Sequence, residues 1–340
     1  MGFDEGVFVG LDNGGTANNA TVLDAAGNFL VDRLVEVPSR VLDGPIVAVE
    51  ALVEALDTVL NLTGLTRELV RCVGLDTPGP ASATGVISSR GATNFSQPAW
   101  HSFDFRSALE KRLGIPVVYN NDGNAAALYA HFIQFGSAAS EHSSVSAIVG
   151  TGLGGGVIEG GRVIKGASGQ AGEFGHIAIS LDGLLDDGQP VPRCNCGQSG
   201  DVESFASLTG IVNNLLPYWL SRYPDHELNA AESVAKAARL VRGYAERRDP
   251  LALKIFEQQA IALGRLFSIA ANFTDPRAYF VGGGVVEAEP EFREWFLATV
   301  RANTTLRSEQ EQVAIFALVP DLDMAGARGA AVAARETVLT

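Results

Sequence analysis

The sequence predicts an α/β fold divided into two domains of related design. The chain has 340 residues, and a single hydrophobic core rarely extends over more than about 250 to 300 residues. Predicted strands alternate with predicted helices along the chain, which is the pattern of α/β proteins. A strand, a glycine-rich turn and a second strand occur near the N-terminus and again after residue 144. This repetition favours two domains that share one strand pattern.

The first half of the chain contains four predicted strands and three predicted helices. A buried strand at 7–11 is followed by the glycine turn 12–16 and a second strand at 19–24. The elements then alternate, with helices at 45–61, 106–113 and 124–135 and strands at 70–75 and 116–120.

The second half begins in the same way. A strand at 145–149, a glycine-rich loop at 150–156 and a strand at 157–159 match the first three elements in kind. The remainder consists of a predominantly helical region at 204–275 with interruptions near Pro224 and Pro250, a strand at 278–281 that enters the turn Gly282–Gly284, a strand at 313–318 and a small-residue helix at 324–337. Three glycine turns therefore follow three buried strands.

The composition argues against several classes of function. Acidic residues outnumber Lys and Arg by 39 to 25, and the net charge of −14 disfavours binding to the phosphates of nucleic acids. No apolar run approaches the ~18 residues of a membrane helix, and the N-terminus lacks the pattern of a signal peptide. The three cysteines, two of them one residue apart, fit reduced thiols or metal ligands. We therefore expect a soluble, cytoplasmic protein.

Two of the glycine turns have the composition of phosphate-binding loops. The first offers a carboxylate that can associate with Mg²⁺, glycines that let backbone amides approach an anion, and a hydroxyl. Any hairpin turn could use the same glycines, so each loop alone has two interpretations. Because the chain has only four lysines, backbone amides are expected to do most of the anion binding. The residues that would contact phosphate are Asp12, Gly14, Gly15 and Thr16 in the first turn and Gly150, Thr151 and Gly152 in the second.

Asp122 follows a predicted strand and precedes a predicted helix. In that position the helix amides favour an ionised carboxylate, which can accept a proton from a hydroxyl group. An aspartate at the start of a helix is equally common as an N-cap. The position alone leaves both roles open.

A further group of residues has the spacing of metal ligands. Cys194 and Cys196 form a C-x-C-G sequence after His176, and Asp201 follows five residues later. A closed zinc site needs four such ligands. Glu173 stands three residues before His176, a spacing that can direct both side chains the same way. The alternative is that the cysteines are buried small apolar residues.

Taken together, these motifs resemble the ROK (repressor, open reading frame, kinase) family of sugar kinases and sugar-responsive regulators. The resemblance extends over nearly the whole chain and rests on the order and spacing of the loops at 12–16 and 150–156, Gly74 with Pro78-Gly79-Pro80, the run 120–126, Gly172–His176, Cys194–Gly197 with Glu203, and Gly282–Gly284. It implies a two-domain actin-like ATPase (ribonuclease H-like) fold with a cleft between the domains. The implied smaller domain comprises residues 1–120 and 322–340, and the larger domain comprises residues 121–321.

The resemblance also implies roles for individual residues. Asp122 would be the catalytic base, and the cofactors would be ATP, Mg²⁺ and a structural Zn²⁺. The implied ligands of the acceptor are Asn94, Asn121, Asp122, Glu173, His176 and Glu203. The implied nucleotide contacts are Asp12, Gly14, Gly15, Thr16, Gly150, Thr151, Gly152, Gly282, Gly283 and Gly284, and the implied zinc ligands are His176, Cys194, Cys196 and Asp201. The expected partner is a small sugar or sugar-like acceptor, and the expected assembly is a homodimer.

Several positions depart from the family pattern. Ala17 stands where relatives often have Lys or Asn, Asp76 places a charge in a strand that is usually apolar, and Asp201 replaces a third cysteine. The segment 94–100 is lengthened. The expected reaction is phosphorylation of the primary hydroxyl of a hexose, glucose by default, and the alternatives are another hexose, an amino sugar or a C7-cyclitol. A sugar-sensing regulator is disfavoured, because Asp12 lies eleven residues after Met1 and leaves no room for a DNA-binding domain before it.

Overall fold

The structure, a computed structural model, describes residues 6–79, 81–88 and 95–339. Asn94 lies outside these residues. The strands are β1 Val7–Asn13, β2 Ala17–Asp24, β3 Glu36–Pro38, β4 Val70–Thr77, β5 Val117–Asn121, β6 Ser143–Val149, β7 Leu153–Glu159, β8 Arg162–Val163, β9 Ala278–Gly283 and β10 Ile315–Leu318. The helices are α1 Pro45–Thr63, α2 Phe105–Leu113, α3 Asp122–Phe135, α4 Val202–Ala206, α5 Leu208–Gly210, α6 Leu216–Arg222, α7 Val234–Glu246, α8 Pro250–Thr274, α9 Pro290–Ala302, α10 Ser308–Glu311 and α11 Leu322–Leu339. Within the described part of the chain, no helix combines the length and the apolar composition needed to cross a membrane.

Two five-stranded sheets have the same strand order. The first runs β3-β2-β1-β4-β5, and the second runs β8-β7-β6-β9-β10. In the first sheet β1 pairs antiparallel with β2 and parallel with β4. In the second sheet β6 pairs parallel with β9, the equivalent of β4. The α/β class and the repeated strand pattern that the sequence predicts are therefore confirmed.

The first compact unit comprises residues 1–141, 156–172 and 321–340. Alternate residues of β1 face opposite sides of its sheet. Val9 and Leu11 are fully buried in the core that includes α1. Gly10, between them, faces α11, where a Cβ atom would lie 1.8 Å from the carbonyl oxygen of Ala327. Glycine therefore lets α11 lie directly on the strand, and the next residue on that face is Asp12.

The second compact unit comprises residues 142–155 and 173–320. Its longest helix, α8, packs against α4 and α9. Asp249 caps α8 by accepting a hydrogen bond from the Ala252 amide at 2.9 Å, and Pro250 is the first helical residue. The interruption predicted near Pro250 is thus a helix start, where proline is favoured because its missing N–H is not needed.

Two boundaries differ from the sequence-based expectation. The glycine-rich loop is expected to continue to residue 156, but β7 already begins at Leu153. Gly155 belongs to this strand, and a Cβ atom there would lie 2.3 Å from the Ser146 carbonyl oxygen in β6. Residues 121–141 and 156–172 group with the first unit instead of the larger domain, since α3 packs against α11. The two compact units thus divide the chain differently from the domains expected from the sequence, residues 1–120 with 322–340 and residues 121–321, and those domains stay a prediction.

Candidate active site

The first glycine turn connects β1 to β2 in the first unit, with Gly15 and Thr16 at its tip. The Gly14 amide donates to the Ala17 carbonyl oxygen at 2.9 Å. A Cβ atom on Gly14 would lie 2.7 Å from the same oxygen. The hairpin alone therefore requires glycine at this position. Thr16 is exposed, and Asp12 is the next-to-last residue of β1, so both remain positions for contact with a phosphate or a cation.

Asn121 and Asp122 lie at the junction of β5 and α3. Asn121 is the N-cap of the helix, and its Oδ1 accepts a hydrogen bond from the Asn124 amide at 2.8 Å. Asp122 is the exposed first residue of the helix, where its Oδ1 accepts from the Gly123 amide at 2.7 Å. The N-terminus of a helix stabilises an ionised carboxylate. Asn121 therefore has the capping role, and Asp122 offers a charged oxygen acceptor beside it.

Lys165 makes a contact near this junction that the sequence does not predict. Its Nζ donates to the carbonyl oxygen of Tyr119, two residues before Asn121 on β5. Burial lowers the pKa of the Lys165 amine. The Tyr119 hydroxyl in turn lies 2.9 Å from the Thr77 hydroxyl of β4. One of only four lysines thus supports β5, the strand that precedes the predicted base.

The second glycine turn, residues 150–152, connects β6 to β7 in the second unit. The Gly150 amide donates to the Gly152 carbonyl oxygen at 2.9 Å. Residues around the start of α5 hold the turn, because the Leu208 amide donates to the Gly150 carbonyl at 3.0 Å and the Thr209 hydroxyl to the Thr151 carbonyl at 2.7 Å. A Cβ atom on Gly150 would meet nothing within 4 Å. Hydrogen bonds from α5 therefore hold the turn in place, and the turn faces open space at Gly150.

Glu203 of α4 links the second turn to the cysteine segment. Its Oε2 accepts a hydrogen bond from the Leu153 amide at 2.9 Å, and its Oε1 accepts one from the Cys194 thiol at 3.4 Å. A Cβ atom on Gly152 would lie 2.8 Å from Glu203 Oε2. Within this unit, the predicted phosphate contact and the predicted acceptor ligand are therefore neighbours.

Glu173 precedes a short 3-10 turn, Phe174–His176, whose last residue is His176, and both side chains are exposed. Partial desolvation raises the pKa of the Glu173 carboxyl, His176 lowers it and the Glu203 carboxylate raises it. Gly175 between them allows close packing, since a Cβ atom there would lie 3.2 Å from Glu203 Cβ. The three residues predicted to contact the acceptor from this unit therefore influence one another electrostatically.

Four side chains predicted as metal ligands lie together in the second unit: His176, Cys194, Cys196 and Asp201. Their ligand atoms all lie within 4.8 Å of one another. His176 Nδ1 is 3.7 Å from Asp201 Oδ2 and 3.9 Å from Cys194 Sγ, and Cys196 Sγ is 3.5 Å from Asp201 Oδ2. Ligand atoms in a tetrahedral zinc site lie roughly 3.3 to 3.8 Å apart, given metal–ligand bonds of about 2.0 to 2.3 Å. The donor set therefore suits zinc, and the His176–Cys194 separation of 3.9 Å lies just above this range.

Asp201 divides its two carboxylate oxygens between two tasks. Oδ1 caps α4 by accepting a hydrogen bond from the Ser204 amide at 2.9 Å. Oδ2 faces His176 and Cys196. The side chain is fully buried. An aspartate at this position can therefore serve as both a helix cap and a metal ligand.

The third glycine run, Gly282–Gly284, lies at the end of β9. Its first two residues belong to the strand, and the chain turns at Gly284. A Cβ atom on Gly283, whose φ is +104°, would lie 1.8 Å from the Val149 carbonyl oxygen. One on Gly282 would lie 2.8 Å from Ile148 Cδ1. Packing against β6 therefore accounts for these two glycines. Gly284 has more space, and its carbonyl oxygen accepts a hydrogen bond from Arg242 at 2.7 Å.

Comparison with known proteins adds to this geometry. The ROK family model matches residues 8–337. The chain is 32% identical over 290 residues to a glucokinase of Halalkalibacterium halodurans, covering 83% of this chain and 81% of that protein. It is 31% identical over 282 residues to an N-acetyl-D-glucosamine kinase of Pectobacterium carotovorum, covering 82% of this chain and 84% of that protein.

A solved structure of a ROK family glucokinase is also similar to this chain. The ROK family glucokinase from Streptomyces griseus, in complex with glucose and AMPPNP, superimposes with a TM-score of 0.69 at 29% identity and covers 97% of this chain and 100% of that one. The actin-like ATPase fold implied by the sequence resemblance is therefore confirmed. Since the family model matches almost from end to end and two relatives exceed 30% identity, the chain belongs to the ROK family.

Proposed function

We propose that this protein is an ATP-dependent sugar kinase that phosphorylates the primary hydroxyl of a hexose, with glucose as the default acceptor. The observation that carries the proposal is the exposed Asp122 carboxylate at the start of α3, next to an asparagine that caps the helix in its place. A general base must be charged and accessible. Asp122 is exposed, and the N-terminus of a helix favours the ionised form of a carboxyl group. The relatives named glucokinase support the sugar substrate.

The proposed chemistry needs little covalent help from the protein. Phosphoryl transfer depends on a positioned hydroxyl group and on neutralised phosphate charge. Asp122 would accept the proton of the hydroxyl, and Asn121 would orient the acceptor through its side-chain amide. Glu173, His176 and Glu203 would bind further sugar hydroxyls, and Asn94 is proposed as another contact.

The nucleotide would be held mainly by backbone groups. Backbone groups of the turns at 12–16 and 150–152 would contact the phosphates, with open space at Gly150, and Gly284 would leave space for the adenosine. Asp12 would hold Mg²⁺, which supplies positive charge to the triphosphate when bound. The proposed nucleotide contacts thus use few charged side chains, in line with the scarcity of lysine.

A structural Zn²⁺ belongs to the same proposal. His176 Nδ1, Cys194, Cys196 and Asp201 Oδ2 would hold it. Coordination through Nδ1 would fix the His176 ring and leave Nε2 to meet an acceptor hydroxyl. The homodimeric assembly implied by the family resemblance and the cytoplasmic location expected from the sequence are also parts of this proposal.

A second acceptor class is favoured by one relative and one residue. The Pectobacterium carotovorum relative is named for an amino sugar, and it matches this chain almost as well as the glucokinase does. Asp76 is a buried acid in a strand that family members usually build from apolar residues. An amino sugar or a C7-cyclitol therefore remains the alternative acceptor.

A panel of acceptors tests the proposal. Glucose, mannose, N-acetylglucosamine, glucosamine and a C7-cyclitol are each incubated with ATP and Mg²⁺, and ADP release is coupled to a spectrophotometric readout. We expect glucose to have the highest kcat/KM. A matched panel of 6-deoxy sugars serves as control, because these lack the hydroxyl that should react. Equal ADP release with glucose and 6-deoxyglucose, or none with any acceptor, would contradict the proposed function.

A further inference from the structure

Four polar side chains form a row across the first sheet, one from each of four adjacent strands. In the strand register Asp12 of β1 is paired with Asn19 of β2 on one side and with Asp76 of β4 on the other. Asp76 is paired in turn with Asn120 of β5. Residues directly opposite each other in a sheet point to the same face. The row Asn19–Asp12–Asp76–Asn120 therefore lies on the face that α11 covers.

Helix α11 closes over this row. A Cβ atom on Gly326 of α11 would lie 2.9 Å from the Asp12 Cγ atom. Asp76 is fully buried, and Asn120 is 4% exposed. The glycine thus permits the helix to pass directly over an acidic side chain. Asp76 and Asn120 are shielded from solvent, and Asp12 and Asn19 are half-buried.

The row contains buried oxygen atoms that receive no hydrogen bond from an amide, hydroxyl or cationic side-chain group of the described residues. They are both carboxylate oxygens of Asp76, Oδ1 of Asn120 and Oδ1 of Asn19. Within the row, Asn19 Nδ2 donates to Asp12 Oδ2 at 3.2 Å, and the carboxyl groups of Asp12 and Asp76 are hydrogen-bonded to each other. Buried polar atoms in proteins are nearly always paired, because an unpaired one costs free energy. Since all of these atoms are acceptors, the missing partner is a donor or a cation.

The charge of the row favours a cation. Within the described part of the chain, no ion pair joins Asp12 or Asp76 to an Arg or a Lys. Two adjacent acids in a dry environment thus lack a compensating positive charge.

We propose that Asp12 and Asp76 form a two-carboxylate site for one divalent cation, with the side-chain oxygens of Asn19 and Asn120 on either side. Hard oxygen ligands of this kind suit Mg²⁺, Mn²⁺ or Ca²⁺. The identity of the working cation as Mg²⁺ rests on the proposed kinase function. The part of this proposal that goes beyond the proposed function is the role of Asp76. A cation held by Asp12 alone would need the nucleotide as a further ligand. With the second carboxylate, the protein holds the cation before ATP arrives.

Mn²⁺ binding to the nucleotide-free protein tests the site. The full chain, loaded with zinc and free of sugar and nucleotide, is titrated with Mn²⁺, and the free ion is measured by electron paramagnetic resonance. We expect one tight site per chain. Asp76→Asn keeps the shape of the side chain and removes its charge, so we expect the Kd to rise by at least ~10-fold, because ligand charge sets the affinity of such sites. Asp32→Asn, which removes one exposed acid of the same unit, should leave the Kd unchanged.

Thermal unfolding gives a second readout. Mg²⁺ should raise the melting temperature of the wild type, since a ligand that binds only the folded state stabilises it. Asp76→Asn should melt at or above the temperature of the metal-free wild type, because the substitution removes a buried repulsion. Its melting temperature should no longer respond to Mg²⁺.

The outcomes separate this inference from the proposed function. A wild type that phosphorylates a sugar but takes up no Mn²⁺ without nucleotide overturns the cation site and leaves the kinase proposal standing, as expected if the two acids merely share a proton or bind water. Equal Mn²⁺ affinity in the wild type and Asp76→Asn also overturns it. Uptake that depends on Asp76, in a protein that phosphorylates no sugar, supports the site and removes the proposed function.

Discussion

At the scale of single residues, the sequence leaves Asp122, which follows Asn121, with two possible roles: N-cap of the helix or general base. Asn and Asp are both good N-caps, and helix starts are uncertain by one or two residues in any reading of a sequence. The hydrogen bond from the Asn124 amide assigns the cap to Asn121 and makes Asp122 the exposed first residue of α3. A difference of one residue in where the helix begins therefore decides whether Asp122 caps the helix or can act as a base.

Replacing Asp122 with Asn tests its role as the general base. The substitution keeps the size of the side chain and removes its ability to accept a proton. We expect kcat for the preferred acceptor to fall by about 10² to 10⁴-fold, with a much smaller change in the acceptor KM. The protein should fold normally, because Asp122 is exposed and the cap is supplied by Asn121.

A matched control is Asp323→Asn, which neutralises another exposed acid in the first turn of a helix, α11. This variant should keep wild-type kinetics. If Asp122→Asn turned over at a near-normal rate, Asp122 would have no part in proton transfer.

At the scale of elements, the three glycine turns look alike in the sequence and differ in the structure. Gly14 is required by its own hairpin, and Gly283 is required by the packing of β9 on β6. Gly150 meets no atom of the protein at its Cβ position. The sequence predicts where the three turns lie, though not where the second one ends. Only the contacts of each glycine show which glycine the fold itself does not require.

Gly150→Ala is therefore the clearest test of phosphate binding by a backbone turn. The added methyl group fits the protein, so any loss should come from the nucleotide, whose phosphates would occupy the same space. We expect the Kd for ATP, measured by calorimetry, to rise by at least ~10-fold, which corresponds to about 1.4 kcal/mol. The melting temperature of the free protein should change little.

Two further glycine variants serve as comparisons for the ATP affinity of Gly150→Ala. Gly152→Ala should disturb acceptor binding as well, because its Cβ would push against Glu203 Oε2 at 2.8 Å. Gly243→Ala on α7, where the nearest atom is 3.7 Å away, should leave ATP affinity unchanged. Unaltered ATP binding in Gly150→Ala would remove this turn from the nucleotide site.

At the scale of the whole molecule, local patterns predict elements well and distant contacts poorly. The buried strands and glycine turns predict two units with the same strand pattern, because burial and turn chemistry act between neighbouring residues. The two sheets have the same strand order, in agreement with that prediction. No local pattern predicts that Thr209 holds the turn at Thr151, or that Asp76 lies beside Asp12. These contacts depend on strand register and on helix placement, which are set by packing over the entire unit.

Zinc removal is expected to act on one unit and to leave the other intact. The four proposed ligands span residues 176 to 201 in the second unit, and most of the chain between them forms neither helix nor strand. A bound metal would tie this segment to α4 through Asp201, so that zinc binding contributes directly to local stability. Purified protein should contain about one equivalent of zinc per chain, lost in Cys194→Ser. Cys72→Ser, which changes the buried cysteine of the first unit, should retain it.

Hydrogen exchange measured by mass spectrometry should locate the effect of zinc loss. After chelation, and in Cys194→Ser without chelator, we expect faster exchange in residues 173–206, because the loop between the ligands loses its crosslink and its chain entropy rises. Strands β1, β4 and β5 should exchange at unchanged rates, since they belong to the first unit and share no ligand with the cluster. Fully active protein with a zinc content near zero would show that Asp201 serves only as the cap of α4 and that the two cysteines are ordinary small residues.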